Sequence, residues 1–301
     1  MLEANDVKLS RRAGCAQDTS VNRSEMARNR AVVLIKPPQK WVPIDINELW
    51  EYRDLLYLLV WREIRTRYAQ TLGGAAWAVV KPVSITMVFS VIWGNLAGIR
   101  SDALPYPVFV YSALLPWQLF AHTLSGASNS LVANQHLLTK AYFPRLVIPL
   151  AATATGVLDF FLASIVLFGL MAYYQVSVAW SAWLIPLFVV LTIVTALGTG
   201  LWLSALNVRY RDVGHGLPFL TQLWLFITPV VYPASLVPEI WRPWMGVNPM
   251  ASVVEGVRWA LFGGEFSHGT MFGLSSLVAI MTLVSGLYYF NRMEQWFADV
   301  V

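Results

Sequence analysis

The sequence predicts an all-α integral membrane protein: six transmembrane helices, an N-terminal amphipathic helix lying in the membrane interface, and two short extracytoplasmic re-entrant helices before the last span. Three observations carry this. Hydrophobic residues make up 57% of the 301 residues and charged ones only 13%, against about 45–50% and about 25% in soluble domains. So few charges cannot cover a soluble surface. Apolar stretches of the ~20 residues needed to cross about 30 Å of hydrocarbon recur along the chain. Lys and Arg also gather on alternate connecting segments, the bias that orients membrane proteins.

Residues 1–40 read as a disordered cytoplasmic tail. Lys8, Arg11, Arg12, Arg23, Arg28, Arg30, Lys36 and Lys40 are scattered through it, with too little apolar surface to offset chain entropy. The single cysteine, Cys15, falls here; it excludes an internal disulfide and reads as an incidental free thiol. With no apolar core of about 7–15 residues the tail is no secretory signal, so the N-terminus is expected to stay in the cytoplasm.

A helix follows over 45–70, within a segment spanning 41–73. Asp45 and Glu48 form a capping-box-like start, and Leu49, Leu56, Leu59, Val60 and Ile64 recur near helical spacing. Arg53, Arg62, Arg65 and Arg67 interrupt it. A central arginine costs about 2.5–3.5 kcal/mol on insertion scales, so the helix is too charged to span. It is expected to lie in the interface, arginines reaching lipid phosphates and Trp50 and Trp61 at headgroup depth. The plainer alternative is an ordinary soluble amphipathic helix.

Spans are expected at 76–98, 107–131, 145–174, 182–206, 216–234 and 270–290, the fifth barely long enough; together they form a domain over 74–292, with 293–301 a cytoplasmic C-terminus. The stretch 235–266 holds prolines, glycines, Glu239, Arg242, Glu255 and Arg258, too polar to face lipid, while Trp241, Trp244 and Trp259 anchor it at the membrane. Two short helices that dip in and return, buried against protein, suit it. With the N-terminus inside, every Lys and Arg except Arg100, Arg242 and Arg258 falls on a cytoplasmic segment. Both termini are then cytoplasmic. Asp159 is the one carboxylate deep in a span; pairing to another helix is preferred over a proton relay, which needs a chain of titratable neighbours. Gly94 and Gly98 form a GxxxG, a weak signal for close helix approach.

Catalytic chemistry has little to work with. No G-x-x-x-x-G-K-[ST] is present to cradle a phosphate. His122, His136, His215 and His268 are scattered, without the spacing of metal ligands. No paired carboxylates of the kind glycosyl transfer uses lie in the spans, and nothing points to nucleic acid. The chain reads as a conduit energised from elsewhere, with no cofactor of its own.

Three stretches resemble the permeases of polysaccharide-exporting ABC transporters, the group handling O-antigen, capsule and teichoic acid. They are WREIRTRYAQTLGGAAWAVVKPV at 61–83, ALNVRYRDV at 205–213 and ITPVVYPASLVPEIWRPWMGVNPMASVVEGVRWALFG at 227–263. Their order and spacing together are specific, and the resemblance covers roughly residues 45–295. It implies a homodimer in the bacterial inner membrane, bound to two separate nucleotide-binding subunits that carry ATP and Mg. Their closure would be transmitted through a coupling helix between spans two and three. Here that position is residues 134–145, with Gln135, His136, Leu137, Leu138, Thr139, Lys140, Tyr142 and Phe143 as the coupling set. The residues agree, since apolar knobs in a polar loop stopped by Pro144 suggest a partner surface; a connector tucked against the bundle is the alternative. The resemblance also implies an aromatic-lined channel for a lipid-linked polysaccharide, O-antigen preferred over capsule or teichoic acid. Phe89, Trp93, Tyr111, Trp117, Phe120, Trp224, Phe226 and Tyr232, in spans one, two and five, are the candidates. Trp180 and Trp183 fit the interface belt.

Competing classes are an ABC permease for a drug or lipid, a membrane-embedded glycosyl- or acyltransferase, and a passive channel or scaffold. The transferase would turn over alone. The channel would need no nucleotide-binding partner.

Overall fold

The computed structural model describes residues 46–69, 73–74, 76–98, 104–140, 143–238, 240–264 and 269–300. Asp45 and the Glu48 side chain of the capping box lie outside them, as do the tail and Glu239. The regular elements among the described residues are all helices, with no strands among them.

A short helix α1 (Ile46–Glu51) leads into α2 (Arg53–Ala69). One face of α2 is apolar: Leu59 is buried, with Leu55, Leu56 and Val60 beside it, while Tyr57, Leu58 and Trp61 stay exposed. The helix α3 (Ala76–Phe89) runs on through a π-helical stretch, Ser90–Leu96, that closes with Ala97 N–H donating to the Ile92 carbonyl. Gly98, at φ +63°, ends it; only a residue tolerant of left-handed backbone suits that position. The GxxxG therefore makes no two-glycine helix seam among the described residues: an added Cβ on Gly98 would meet nothing within 4 Å. Gly94 instead faces Tyr106, whose ring would lie 3.1 Å from an added Cβ.

The helix α4 (Tyr106–Ala133) is the central pillar: at 28 residues it runs about 42 Å, and most of its side chains are buried. Burial on all sides explains its polarity. Ser112 and Ser130 donate back to carbonyls three residues earlier, while the buried Thr123 and Ser128 hydroxyls have no hydrogen-bond partner among the described residues. After it come α5 (Gln135–Lys140), α6 (Val147–Tyr173) and α7 (Ile185–Arg209), the last preceded by a 3₁₀ turn at Trp180–Leu184. Then follow α8 (Asp212–Ile227), α9 (Arg242–Met245), α10 (Pro249–Phe262) and α11 (Gly269–Val300).

α7 and α11 touch backbone to backbone. A Cβ on Gly286 would sit 2.3 Å from the Gly198 carbonyl oxygen, the close small-residue packing that membrane helices use. Among the described residues, four helical stretches are long and apolar enough to cross a bilayer: Ala76–Leu96, Val147–Tyr173, Trp180–Arg209 and Gly269–Glu294. They match the expected spans one, three, four and six. α4 is long enough but more polar, and α8, with 16 residues or about 24 Å, is shorter than the hydrocarbon.

Candidate functional site

The last turn of α2 carries Arg67 and Tyr68 to the middle of α6, where Asp159 lies. Arg67 forms an ion pair with the Asp159 carboxylate, and the Tyr68 hydroxyl donates to it at 2.5 Å. His122 of α4 completes the cluster, its Nε2 meeting Arg67 and lying 3.9 Å from Asp159. Burial, and then the hydrogen bond to Asp159, push the Tyr68 phenol up to about 12, which keeps it a donor.

Asp159 is thus paired to another helix, as expected, but its partner corrects the reading of α2. Arg67 turns inward to a carboxylate rather than out to lipid phosphates. Arg62 stays exposed, reaching the Asn134 side chain and, at 3.2 Å, Glu63. Arg53 and Arg65 are exposed, Arg53 lying 5.4 Å over the Trp50 ring. The sequence shows these arginines on helical spacing; their partners, 72 and 92 positions away, are invisible to it.

Asn134 ends α4. Its backbone N–H donates to the Ser130 and Leu131 carbonyls, and its side-chain amide donates to Ser130 at 2.8 Å. Of the expected coupling set, Gln135 is half-buried, His136 exposed, and Leu137 and Leu138 half-buried against a small apolar cluster. Phe143 is no exposed knob: it is 8% exposed and belongs to that cluster with Leu131, Val147 and Phe290. The loop is partly tucked in, with Phe143 as its anchor. The Thr139 and Lys140 side chains and all of Tyr142 lie outside the described residues.

The aromatic set divides. Tyr111 and Phe120 are fully buried within this one chain and Trp117 is 5% exposed. The Tyr111 hydroxyl donates to the Ala163 carbonyl at 3.0 Å, and the Trp117 and Phe120 rings lie 5.4 Å apart. These three are interhelical packing, not an open wall, because α4 is enclosed rather than peripheral. Phe89, Trp224 and Tyr232 are half-buried, and Trp93 and Phe226 are exposed. Trp224 stands edge-on to Phe120 at 4.8 Å and donates its indole N–H to Asn248 at 3.0 Å. Asn248 caps α10 through the Met250 N–H and also donates to Thr228. Tyr232 donates to the Phe226 and Ile227 carbonyls at the end of α8.

Sequence reasoning missed Arg258 as a structural centre. It is 6% exposed on α10 and donates at 2.7 Å to both the Pro229 and Val230 carbonyls, just past the end of α8. It pairs with Glu255 at 2.9 Å and lies 3.6 Å over the Phe109 ring. The Glu255–Arg258 spacing was the available signal. The broken backbone that needs a donor was not.

A helical bundle with four stretches able to cross a bilayer, ion pairs folded inward and a helix broken beside a buried arginine defines a multi-pass membrane protein. Residues 54–262 match the profile of the family described as ABC-2 type transporter, and the chain belongs to that family. It is 29% identical over 262 residues to the O-antigen export system permease protein RfbA of Myxococcus xanthus, covering 85% of this chain and 98% of that one. It is 28% identical over 250 residues to the protein of that name from Klebsiella pneumoniae, covering 82% and 95%. It is 24% identical over 244 residues to the polysialic acid transport protein KpsM of Escherichia coli, covering 78% and 91%. The resemblance to polysaccharide-exporting ABC permeases is borne out.

Proposed function

We propose that this chain is the transmembrane permease subunit of an ATP-driven ABC exporter that moves a lipid-linked surface polysaccharide, O-antigen, from cytoplasm to periplasm. The observation that carries it is similarity to an O-antigen export permease over nearly the whole of both chains. Higher identity to the O-antigen permeases than to the polysialic acid transport protein favours O-antigen over capsule.

In this reading α4 and α8 join the four apolar stretches as spans two and five. α4 is shielded inside the bundle, and α8 is completed by the buried Thr228–Val231 segment. α9 and α10 are the re-entrant pair, and α2 lies at the cytoplasmic interface. Both termini are cytoplasmic and the membrane is the bacterial inner one. Two copies associate. Two nucleotide-binding subunits, holding ATP and Mg, dock at the 134–145 loop, with Leu137 and Leu138 as the apolar contacts and Phe143 as the anchor beneath. Trp93, Phe226 and the half-buried Phe89, Trp224 and Tyr232 are the surfaces left to meet the glycan. Rings give a sliding chain many weak, similar contacts. Fixed charges would trap it.

The test is complementation. Expressed with its nucleotide-binding partner in a strain deleted for its own O-antigen exporter, the chain should restore surface O-antigen on a gel, but not when the partner's phosphate-binding lysine is replaced. Restoration without any nucleotide-binding subunit would sink the reading.

A further inference from the structure

α8 is lightly packed along its length and firmly tied just past its end. Of its 16 residues only Leu217 is buried, and Phe226 and Ile227 are 50% and 66% exposed. Residues 228–231 then leave the helix and are buried. Backbone outside a helix at membrane depth must find its partners within the protein. Here two side chains from other helices serve three carbonyls in a row. Arg258 of α10 donates to Pro229 and Val230 at 2.7 Å each. The Tyr106 hydroxyl of α4 donates to Val231 at 2.7 Å. Asn248, the cap of α10, donates to the Thr228 hydroxyl at 3.0 Å.

A guanidinium suits this place. Its planar fork reaches two adjacent carbonyls at once, which the point-like ammonium of lysine does not. The Glu255 carboxylate at 2.9 Å and the face of the Phe109 ring at 3.6 Å offset the cost of burying its charge. Three of the five rings left to meet the glycan gather at this turn. Trp224 donates to Asn248, which in turn holds Thr228. Phe226 stands two residues before the turn. Tyr232 follows it directly and folds back to donate to the Phe226 and Ile227 carbonyls at 3.3 and 3.2 Å. Most helical stability comes from packing, and α8 has little, so the grip on 228–231 sets where these rings stand.

We infer that Arg258 is a positioning residue for export: it fixes the turn after α8 and so holds Trp224, Phe226 and Tyr232 where the glycan passes, without touching the glycan itself. Tyr106 shares the task through Val231. The inference rests on the export reading above. Arg258 is buried, so its loss leaves the exposed surfaces that a partner subunit would meet unaltered.

The experiment uses the full complex of this chain with its nucleotide-binding subunit, in a Cys15→Ser background, in proteoliposomes given lipid-linked polysaccharide. Two quantities are read. One is export per ATP hydrolysed. The other is the rate at which a cysteine replacing Val231, 4% exposed in the unaltered chain, reacts with a small membrane-permeant maleimide. In Arg258→Gln the complex should assemble and hydrolyse ATP, while labelling at 231 quickens and the export ratio drops. Each should change roughly fivefold or more, the scale on which losing one buried hydrogen bond shifts an opening equilibrium. Arg258→Lys keeps the charge and a single donor, and Tyr106→Phe leaves only the Val231 carbonyl without its donor. Both should lie between Arg258→Gln and the unaltered protein, and they supply the reading if Arg258→Gln is not recovered folded. A purely structural role would lower the amount of assembled complex and leave its export ratio unchanged. That result overturns the inference, as does a ratio that falls while position 231 stays unreactive. If the unaltered complex hydrolyses ATP and exports nothing, the export reading fails instead, and labelling at 231 separates that failure from a turn that Arg258 does not hold.

Discussion

Asp159 illustrates how a charge is kept at membrane depth. A lone carboxylate there is costly, yet this one has an arginine, a phenol and an imidazole around it. The pair is neither exposed nor sealed, with side chains 34% and 17% accessible. Asp159→Ala should therefore cost roughly 1–3 kcal/mol, between the values for surface and fully buried pairs. Thermal unfolding in detergent checks it, and Arg67→Ala combined with Asp159→Ala should cost clearly less than the two separately. Additive costs would mean the two residues act independently. Trp224 changes meaning in the same way. As a stacking surface it would tolerate phenylalanine, but its N–H holds the cap of α10. Trp224→Phe should keep the ring contact with Phe120 and lose about 1 kcal/mol for the hydrogen bond, with export reduced but present. Trp224→Glu should abolish export by placing an unpaired ion among apolar helices. Equal damage from both, with assembly intact, would show that the aromatic face is not what matters.

The helices differ in how readily the sequence discloses them. Spans one, three, four and six are near-continuous apolar runs, and a run needs no context to be read. α4 is recognised by length despite its serines and threonines, of which Ser112 and Ser130 bond back along the helix. α8 was read as running to 234 but ends at Ile227, since Thr228 and Pro229 leave the helix and Arg258 takes up the carbonyls beyond. No local pattern announces a donor from 28 positions downstream. Within the 134–145 loop residues 135–140 are helical, but exposure could not be read from sequence: Leu138 and Phe143 look alike there and differ in burial. Their variants should differ too. Leu138→Asp should leave the folded yield intact and abolish partner binding. Phe143→Asp should collapse the folded yield itself, because it removes a buried ring worth about 3–5 kcal/mol and buries a charge. Fluorescence-detected size exclusion and co-purification separate the two outcomes, and normal binding in Leu138→Asp would move the docking surface elsewhere.

At the scale of the molecule the account makes the chain a conduit whose orientation is set by charge and whose work is done by another subunit. Orientation is checked by cysteine labelling in spheroplasts. A cysteine replacing Ser101 or Ser267 should react with a membrane-impermeant thiol reagent in intact cells, and one replacing Thr139 only after lysis; labelling of position 139 from outside would overturn the six-span topology. The polysaccharide and the nucleotide-binding partner remain the centre of the claim, and one measurement reaches both. Inverted inner-membrane vesicles carrying this chain, with or without its nucleotide-binding subunit, are given lipid-linked O-antigen on their outer face and assayed for polymer protected inside. The account predicts protection that requires both subunits and ATP, and that stops when ATP is replaced by a non-hydrolysable analogue. Protection by this chain alone, or none from an assembled complex that hydrolyses ATP, would contradict it.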